Sequence, residues 1–454
     1  MTPNHSLGLS LQLQNLIRTD LLQQISMEFP FNMIETGSDK EASKKRDRVF
    51  SDTNTLLTML VTAVNEDKSL KQSVNIFKQI FEGRCGDILK KEKEELERQR
   101  LADIGIDRKT GRPRLYQSRL PKSKTQPVSD NTAAYAKARQ RLDYSLVKKV
   151  FDHSKDFTGI QQPLWHGMKT YNSDGTYCQM QDIGALRRKY YVKEGDHAYP
   201  QLLLQGIVQQ GTGQIVCFET GSRHQSELAL IAKQLGQLPQ NSLLLADDLY
   251  NSYAIFAMIQ RQGCHLIVPG KRLRSYKVME KIADGDELVE LSRKDIPEWW
   301  QQDWELPKKL PMRRISFLSP ADGATEWIQY TTIFDKGIPK SDIIAKYITR
   351  WDIEITIREV KTLMDINVIR SKSEEMVFKE ITVALAAYNM MRRIIAKSVE
   401  KTDLPPQKDI IQEFFEANKT ILIDKKGRIY NRRSPGRYGK AIQANQKTNN
   451  TSAP

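Results

Sequence analysis

Tyr347-Ile-Thr-Arg350-Trp-Asp-Ile-Glu354-Ile-Thr-Ile-Arg-Glu-Val-Lys361 is the stretch that decides how this chain is read. On a regular helix turning about 100° per residue, Tyr347, Arg350, Glu354 and Lys361 fall within an arc of roughly 60°. One carboxylate then stands among two cations and a phenol. Such a face can bind a metal through Glu354 and hold phosphates with Arg350, Lys361 and the Tyr347 hydroxyl. That layout points to phosphoryl transfer on nucleic acid.

Working upstream, two more carboxylates stand where that chemistry could use them. Asp174 lies in Asn172-Ser-Asp-Gly-Thr176, inside a strand predicted over Lys169 to Cys178. Two further strands, Leu202 to Val208 and Ile215 to Thr220, flank Gln209-Gln-Gly-Thr-Gly-Gln214, a hairpin signal. A helix is predicted from His224 to Leu235. Leu243-Leu-Leu-Ala246 is a short apolar run ending in Asp247-Asp248, as a buried parallel strand would be. Ser252 to Gln262 reads as a helix and His265 to Val268 as a strand. In this order the first and fourth strands can be neighbours, which lets Asp174 and Asp247 reach one point. Glu354 would complete the cluster. Magnesium prefers hard oxygen ligands, and paired ions can activate a water or 3′-hydroxyl and stabilise the leaving oxygen. Taken singly, each acid has an ordinary explanation: a turn, a strand-end cap, a helix-surface charge.

The remainder of the chain frames this core. Residues 1–152 read as mostly helical. Ser51-Asp52-Thr53-Asn54 offers an N-cap before Leu56, Leu57, Leu60, Val61 and Val64, and a second helix spans Ser69 to Phe81. Lys90 to Arg100 fits a solvated helix. A single helix is predicted from about Ala133 to Phe151. Residues 271–335 break the strand–helix rhythm and read as a β-rich insertion. Helices return from Ser341 to Lys361 and from Glu374 to Lys397, and residues after Ala441 are polar.

Formal net charge is +15, with a sequence pI near 9.4. Seven basic residues and no acidic one occupy Arg108 to Lys124, and the same counts hold for Lys425 to Lys440. Such blocks favour a polyanionic partner. Gly111-Arg112-Pro113-Arg114 reads as part of a flexible tether near 105–128. The four cysteines lie far apart with no CxxC pair, which predicts reduced thiols and no structural zinc. No stretch has the apolar length of a membrane span, and the start lacks the pattern of a secretory leader.

With these residues quoted, the chain resembles a DDE transposase of the bacterial insertion-sequence-four family. That family carries a Tyr-x2-Arg-x3-Glu-x6-Lys signature, matched here at Tyr347, Arg350, Glu354 and Lys361. Arg46 to Ser51, Asn131 to Leu142, Asp174-Gly-Thr176, Asp247 with Ser252-Tyr253, and Lys372 to Arg392 resemble its other segments. The resemblance implies an α/β fold: an RNase H-like mixed-sheet core, interrupted by the β-rich insertion and preceded by a helical DNA-binding domain. The implied layout is 1–152 for DNA binding, 153–270 and 336–400 for the core, 271–335 for the insertion, and 401–454 for a basic tail. It implies catalytic, metal-binding Asp174, Asp247 and Glu354, with Mg²⁺ or substituting Mn²⁺. Tyr347, Arg350 and Lys361 would contact DNA. It further implies double-stranded DNA as partner, a synaptic homodimer, a hairpin intermediate, and a cytoplasmic, nucleoid-associated location. The family usually has Arg where this chain has Asp248. Asp182 is a lesser rival to Asp174. Trp299, Trp300 and Trp304 either stack on a displaced base or pack the insertion's core. A metal-dependent nuclease without strand transfer, a non-enzymatic DNA-binding derivative and an RNA-binding protein are the alternatives.

Overall fold

The computed structural model describes residues 29–30, 49–65, 67–78, 131–160, 162–190, 198–270, 275–318 and 325–398. Both basic blocks, the Gly111 to Arg114 tetrapeptide, the Lys90 to Arg100 run and the 401–454 tail lie outside the described residues. The described residues fall into two compact units. Unit 1 takes those up to Pro163, with Gly175–Leu230 and Ile353–Ser398; unit 2 takes Leu164–Asp174 and Ile231–Asp352.

Unit 1 begins where the sequence places a cap. The Ser51 hydroxyl accepts from Asn54 N at 3.2 Å and opens helix α1 (Asp52–Ala63). The apolar residues read from its periodicity, Leu56, Leu57, Leu60, Val61 and Val64, are all buried. Residues 70–78 form a further helical segment. The single helix expected over Ala133 to Phe151 is two helices, α2 (Thr132–Arg141) and α3 (Tyr144–Ser154). Leu142 leaves the helical region at ψ 126°, and the Asp143 carboxylate caps the new start by accepting from Ser145 N at 2.7 Å. Short helix α4 (Gly184–Lys189), hairpin strands β3 (Gln201–Gln209) and β4 (Ile215–Ser222), and helix α5 (Glu227–Gln234, of which Ile231 onward belongs to unit 2) follow. Unit 1 closes with α8 (Asp352–Leu363, of which Asp352 belongs to unit 2) and the long helix α9 (Glu374–Ser398). α9 packs on α1 and α3. Its Asn389 pairs with both backbone groups of Ile215 at 2.9 Å, and its buried Lys379 donates to the carbonyls of Arg139 and Gln140. One core therefore serves the early helices and α9.

Unit 2 is built on a sheet. Strand β2 (Met168–Gln179) supplies its first seven residues to unit 2 and the rest to unit 1. Within unit 2 the order is β2-β5-β6-β10-β9-β8-β7, with the short strand β1 (Leu164–Trp165) also on β2. β5 (Ser242–Leu245) is parallel to β2 and to β6 (His265–Pro269), and all four of its residues are buried. This is the parallel strand expected from the apolar run. Helix α6 (Tyr253–Arg261) connects β5 to β6. The β-rich stretch forms β7 (Tyr276–Ala283), β8 (Asp286–Ser292), β9 (Lys309–Leu318) and β10 (Glu326–Thr331). β10 pairs antiparallel with β6, so these strands extend the same sheet. β7 is its last strand, exposed along nearly its whole length, and two register shifts interrupt its pairing with β8.

The helix expected from Ser341 to Lys361 is interrupted. α7 (Lys340–Ile348) passes into a 3₁₀ turn at Thr349–Trp351 before α8 resumes. The Thr349 hydroxyl donates to Lys346 O at 2.7 Å, a local bond that competes with the regular ladder. The arc drawn for one regular helix therefore does not hold across this turn.

Candidate active site

Strand register places the two aspartates. Asn172 pairs with Leu245 across parallel β2 and β5. Asp174, inside β2, and Asp247, just past the end of β5, each lie two residues beyond that last pair. Both are half-buried. Asp247 caps the 3₁₀ turn Asp248–Tyr250, accepting from Leu249 N at 2.9 Å. Beside them, the buried Oδ1 atoms of Asn172 and Asp248 have no hydrogen-bond partner. This strand end thus holds buried acceptor oxygens that the fold itself leaves unused.

The first half of the signature belongs to the same unit. A 3₁₀ turn brings residues i and i+3 into near eclipse. Arg350 accordingly lies with its guanidinium 5.8 Å from the centre of the Tyr347 ring, and it is only 6% exposed. Burial pushes the Tyr347 phenol well above its ordinary range. The Arg350 charge opposes this, while the Asp247 and Asp248 carboxylates add to it. Tyr347 therefore feels the charges of Arg350, Asp247 and Asp248 within unit 2. Asp248 adds negative charge here.

The second half belongs to unit 1. Glu354 stands half-buried on α8, one residue after buried Ile353. Lys361 lies close enough to Cys178 for its charge to act on that thiol, which burial pushes up to about 12. Gly175, directly after Asp174, faces another acid. A Cβ there would come 2.7 Å from the carboxyl carbon of Glu227 on α5. The sequence offered only a weak sign of Glu227, an acid in the first turn of a helix. Asp182, the rival to Asp174, is exposed and paired with Arg187 at 2.6 Å.

Among the described residues, no three His, Cys, Asp or Glu side chains gather as a metal-holding group. The donor chemistry still suits a hard divalent cation. Magnesium is commonly held by one or two carboxylates, with substrate phosphates and waters completing its shell. Two aspartates at matching levels of adjacent strands meet that requirement.

The tryptophans make a cluster in unit 2. Trp300 meets Trp304 edge-on at 4.7 Å and Trp299 at 6.4 Å. The face of Trp304 is covered by the Arg261 guanidinium at 4.7 Å. All three rings are half-buried. Cys178, Cys217 and Cys264 are free and buried. No helix among the described residues is long and apolar enough to cross a membrane.

Comparison with known proteins adds four likenesses. The family described as "Transposase DDE domain" matches residues 165–390. Transposase InsG for insertion sequence element IS4, from Escherichia coli K12, is 25% identical over 279 residues, 59% of this chain. InsZ of the same organism, which also carries a transposase name, is 27% identical over 238 residues, 50% of this chain. The chain spans 62% of the length of InsG and 71% of that of InsZ. A solved piggyBac transposase synaptic complex with hairpin DNA aligns at 10% identity and a TM-score of 0.35, covering 96% of this chain and 84% of that one. That score is too low to bear on fold or function.

Proposed function

Since the chain belongs to the DDE transposases related to IS4, we propose that it binds transposon ends, cuts them and joins them to target DNA. The observation that carries this reading is the placing of Asp174 and Asp247 two residues beyond the Asn172–Leu245 pair of adjacent parallel strands. Strands β2, β5 and β6 are read as the parallel part of an RNase H-like core, with β3 and β4 as its antiparallel part. Residues 1–152 are read as the DNA-gripping region, 271–335 as the insertion and 401–454 as a basic tail.

In this reading Asp174, Asp247 and Glu354 hold the divalent metal, Mg²⁺ or Mn²⁺. Glu354 enters by its place in the signature. When bound, the metal supplies an activated oxygen nucleophile and charge stabilisation at the leaving oxygen. The side chains of this protein set the rest. Arg350 and Lys361 neutralise phosphate charge near the scissile bond. Arg350 is held rigid by Tyr347, so it loses little freedom on meeting DNA. Tyr347 keeps its proton and can donate a hydrogen bond to a phosphate oxygen. Asp248 raises the negative field beside Asp247 and would tighten the hold on a cation. A hairpin on the transposon end, a synaptic homodimer and a location on the bacterial nucleoid complete the proposal.

The test is cleavage of DNA carrying the element's terminal repeats, with Asp247→Asn and Glu354→Gln. Losing one metal ligand removes several kcal/mol of transition-state stabilisation, so cleavage should fall on the order of a thousandfold. End binding in a gel-shift assay should persist. Full cleavage by either variant would sink the assignment. Cleavage by the wild type with no joined product would favour a nuclease without strand transfer.

A further inference from the structure

Arg313 of β9 is wholly buried, and its bonds divide between two places. It grips Asp286 at the start of β8 with Nε at 2.8 Å and Nη2 at 2.6 Å. It also donates from Nη1 to Asp335 O at 2.9 Å and from Nη2 to Ile338 O at 3.0 Å. Those two carbonyls lie in the short loop that leads into α7, the helix bearing Tyr347. The loop and the first residue of α7 are each tied once more to the β7–β8 hairpin. Lys336 Nζ meets Glu280 Oε1 at 2.5 Å, and Lys340 Nζ donates to the Asp284 carbonyl.

α7 needs this support. Its N-cap is Pro339, which makes no side-chain cap bond. Its first turn is instead held from outside, by Lys340 on the Asp284 carbonyl, by Asp342 Oδ2 3.1 Å from His166 Nε2 and by buried Ile343, while the two carbonyls just before it depend on Arg313. The neighbouring Ile315 packs in one cluster with Ile333, Ile338 and Ile343, and Tyr347 packs against that cluster. Moving the loop would therefore move the approach of α7, and with it the Tyr347–Arg350 stack.

We infer that Arg313 is a positioning residue for Tyr347 and Arg350: through it, the β-rich insertion sets where the signature helix begins. The effect on DNA cleavage rests on the proposed function above, whereas the effect on the helix does not. Lysine keeps the charge facing Asp286 but cannot form the planar fork to two carbonyls.

The experiment compares Arg313→Lys with Asp286→Asn in the full chain, by hydrogen exchange and by cleavage kinetics on end DNA. In Arg313→Lys, amides of β8 and β9 should stay protected, while those of 337–348 exchange roughly tenfold faster from the loss of charge-assisted bonds. Its kcat should fall by about the same factor with KM unchanged. Asp286→Asn keeps both carbonyl bonds, so its folded form should leave α7 exchange and kcat near wild type even as its melting temperature drops. The inference is overturned if both variants loosen α7 alike, if β8 and β9 loosen together with α7 in Arg313→Lys, or if α7 exchange does not change. If α7 loosens while the wild type cleaves nothing, the positioning stands and the proposed function fails.

Discussion

The end of β5, with Asp247 just past it and Asp174 at the matching level of β2, and the helix carrying Tyr347 and Arg350 lie in one unit but are placed by different means. Backbone register places the acids. The Asn172–Leu245 pair fixes them, and a one-residue slip would turn every side chain of β5 to the other face. Side chains place the helix. Arg313 holds the loop before it, Ile338 and Ile343 pack beneath it, and a 3₁₀ turn sets Arg350 over Tyr347. The lesson is one of tolerance. A register site should survive changes around it until its strand fails, whereas a packed site should shift gradually as its contacts are trimmed.

Three substitutions or conditions can break or sharpen that contrast. Leu245→Ala opens a cavity beneath a fully buried strand and should cost about 2–5 kcal/mol, read as a lower denaturant midpoint. A cost under 1 kcal/mol would mean that β5 is not the rigid partner described. Arg350→Lys trades a buried planar guanidinium for an ammonium and should cost about 1–2 kcal/mol while leaving the strand end unchanged. Altered amide exchange at β5 in that variant would show that the two regions are not built separately. The smallest effect concerns pH. Burial raises the Cys178 thiol from 9.0 to about 12, so the folded state keeps a proton that the unfolded chain loses first. Its contribution to stability is complete below about pH 9 and disappears as pH rises toward 12. Native protein at pH 8 should therefore resist a thiol reagent at Cys178. Rapid labelling would contradict its burial.

How much of this was legible in the sequence follows the same division. Ser51 and Asp247 could be read because each ends or begins an apolar run whose burial leaves one placement. Leu243 to Ala246 is too short for a helix and too apolar for a surface strand, so β5 and its parallel neighbour followed. The break at Leu142–Asp143 was readable in principle from the capping habit of Asp, but the apolar period of Val147, Val150 and Phe151 masked it. The 3₁₀ turn depends on a hydroxyl bond from Thr349 that competes only in its own setting. Arg313 and Asp286, 27 residues apart, could not be paired from sequence, since either could have been a surface charge. Glu227 was missed for a related reason: its nearness to Gly175 exists only after α5 has folded against β2.

Strand β7 has a consequence for handling the protein rather than for its chemistry. It ends the unit 2 sheet with Val278 and Met279 exposed, a surface that would invite another strand. Lys277, Glu280 and Lys281 interrupt that surface, and two register shifts, which act as bulges do, break the regular pairing with β8. The edge is thereby spoiled as a template for stacking. Its charges are screened by salt, so that protection weakens as ionic strength rises while the bulges keep theirs.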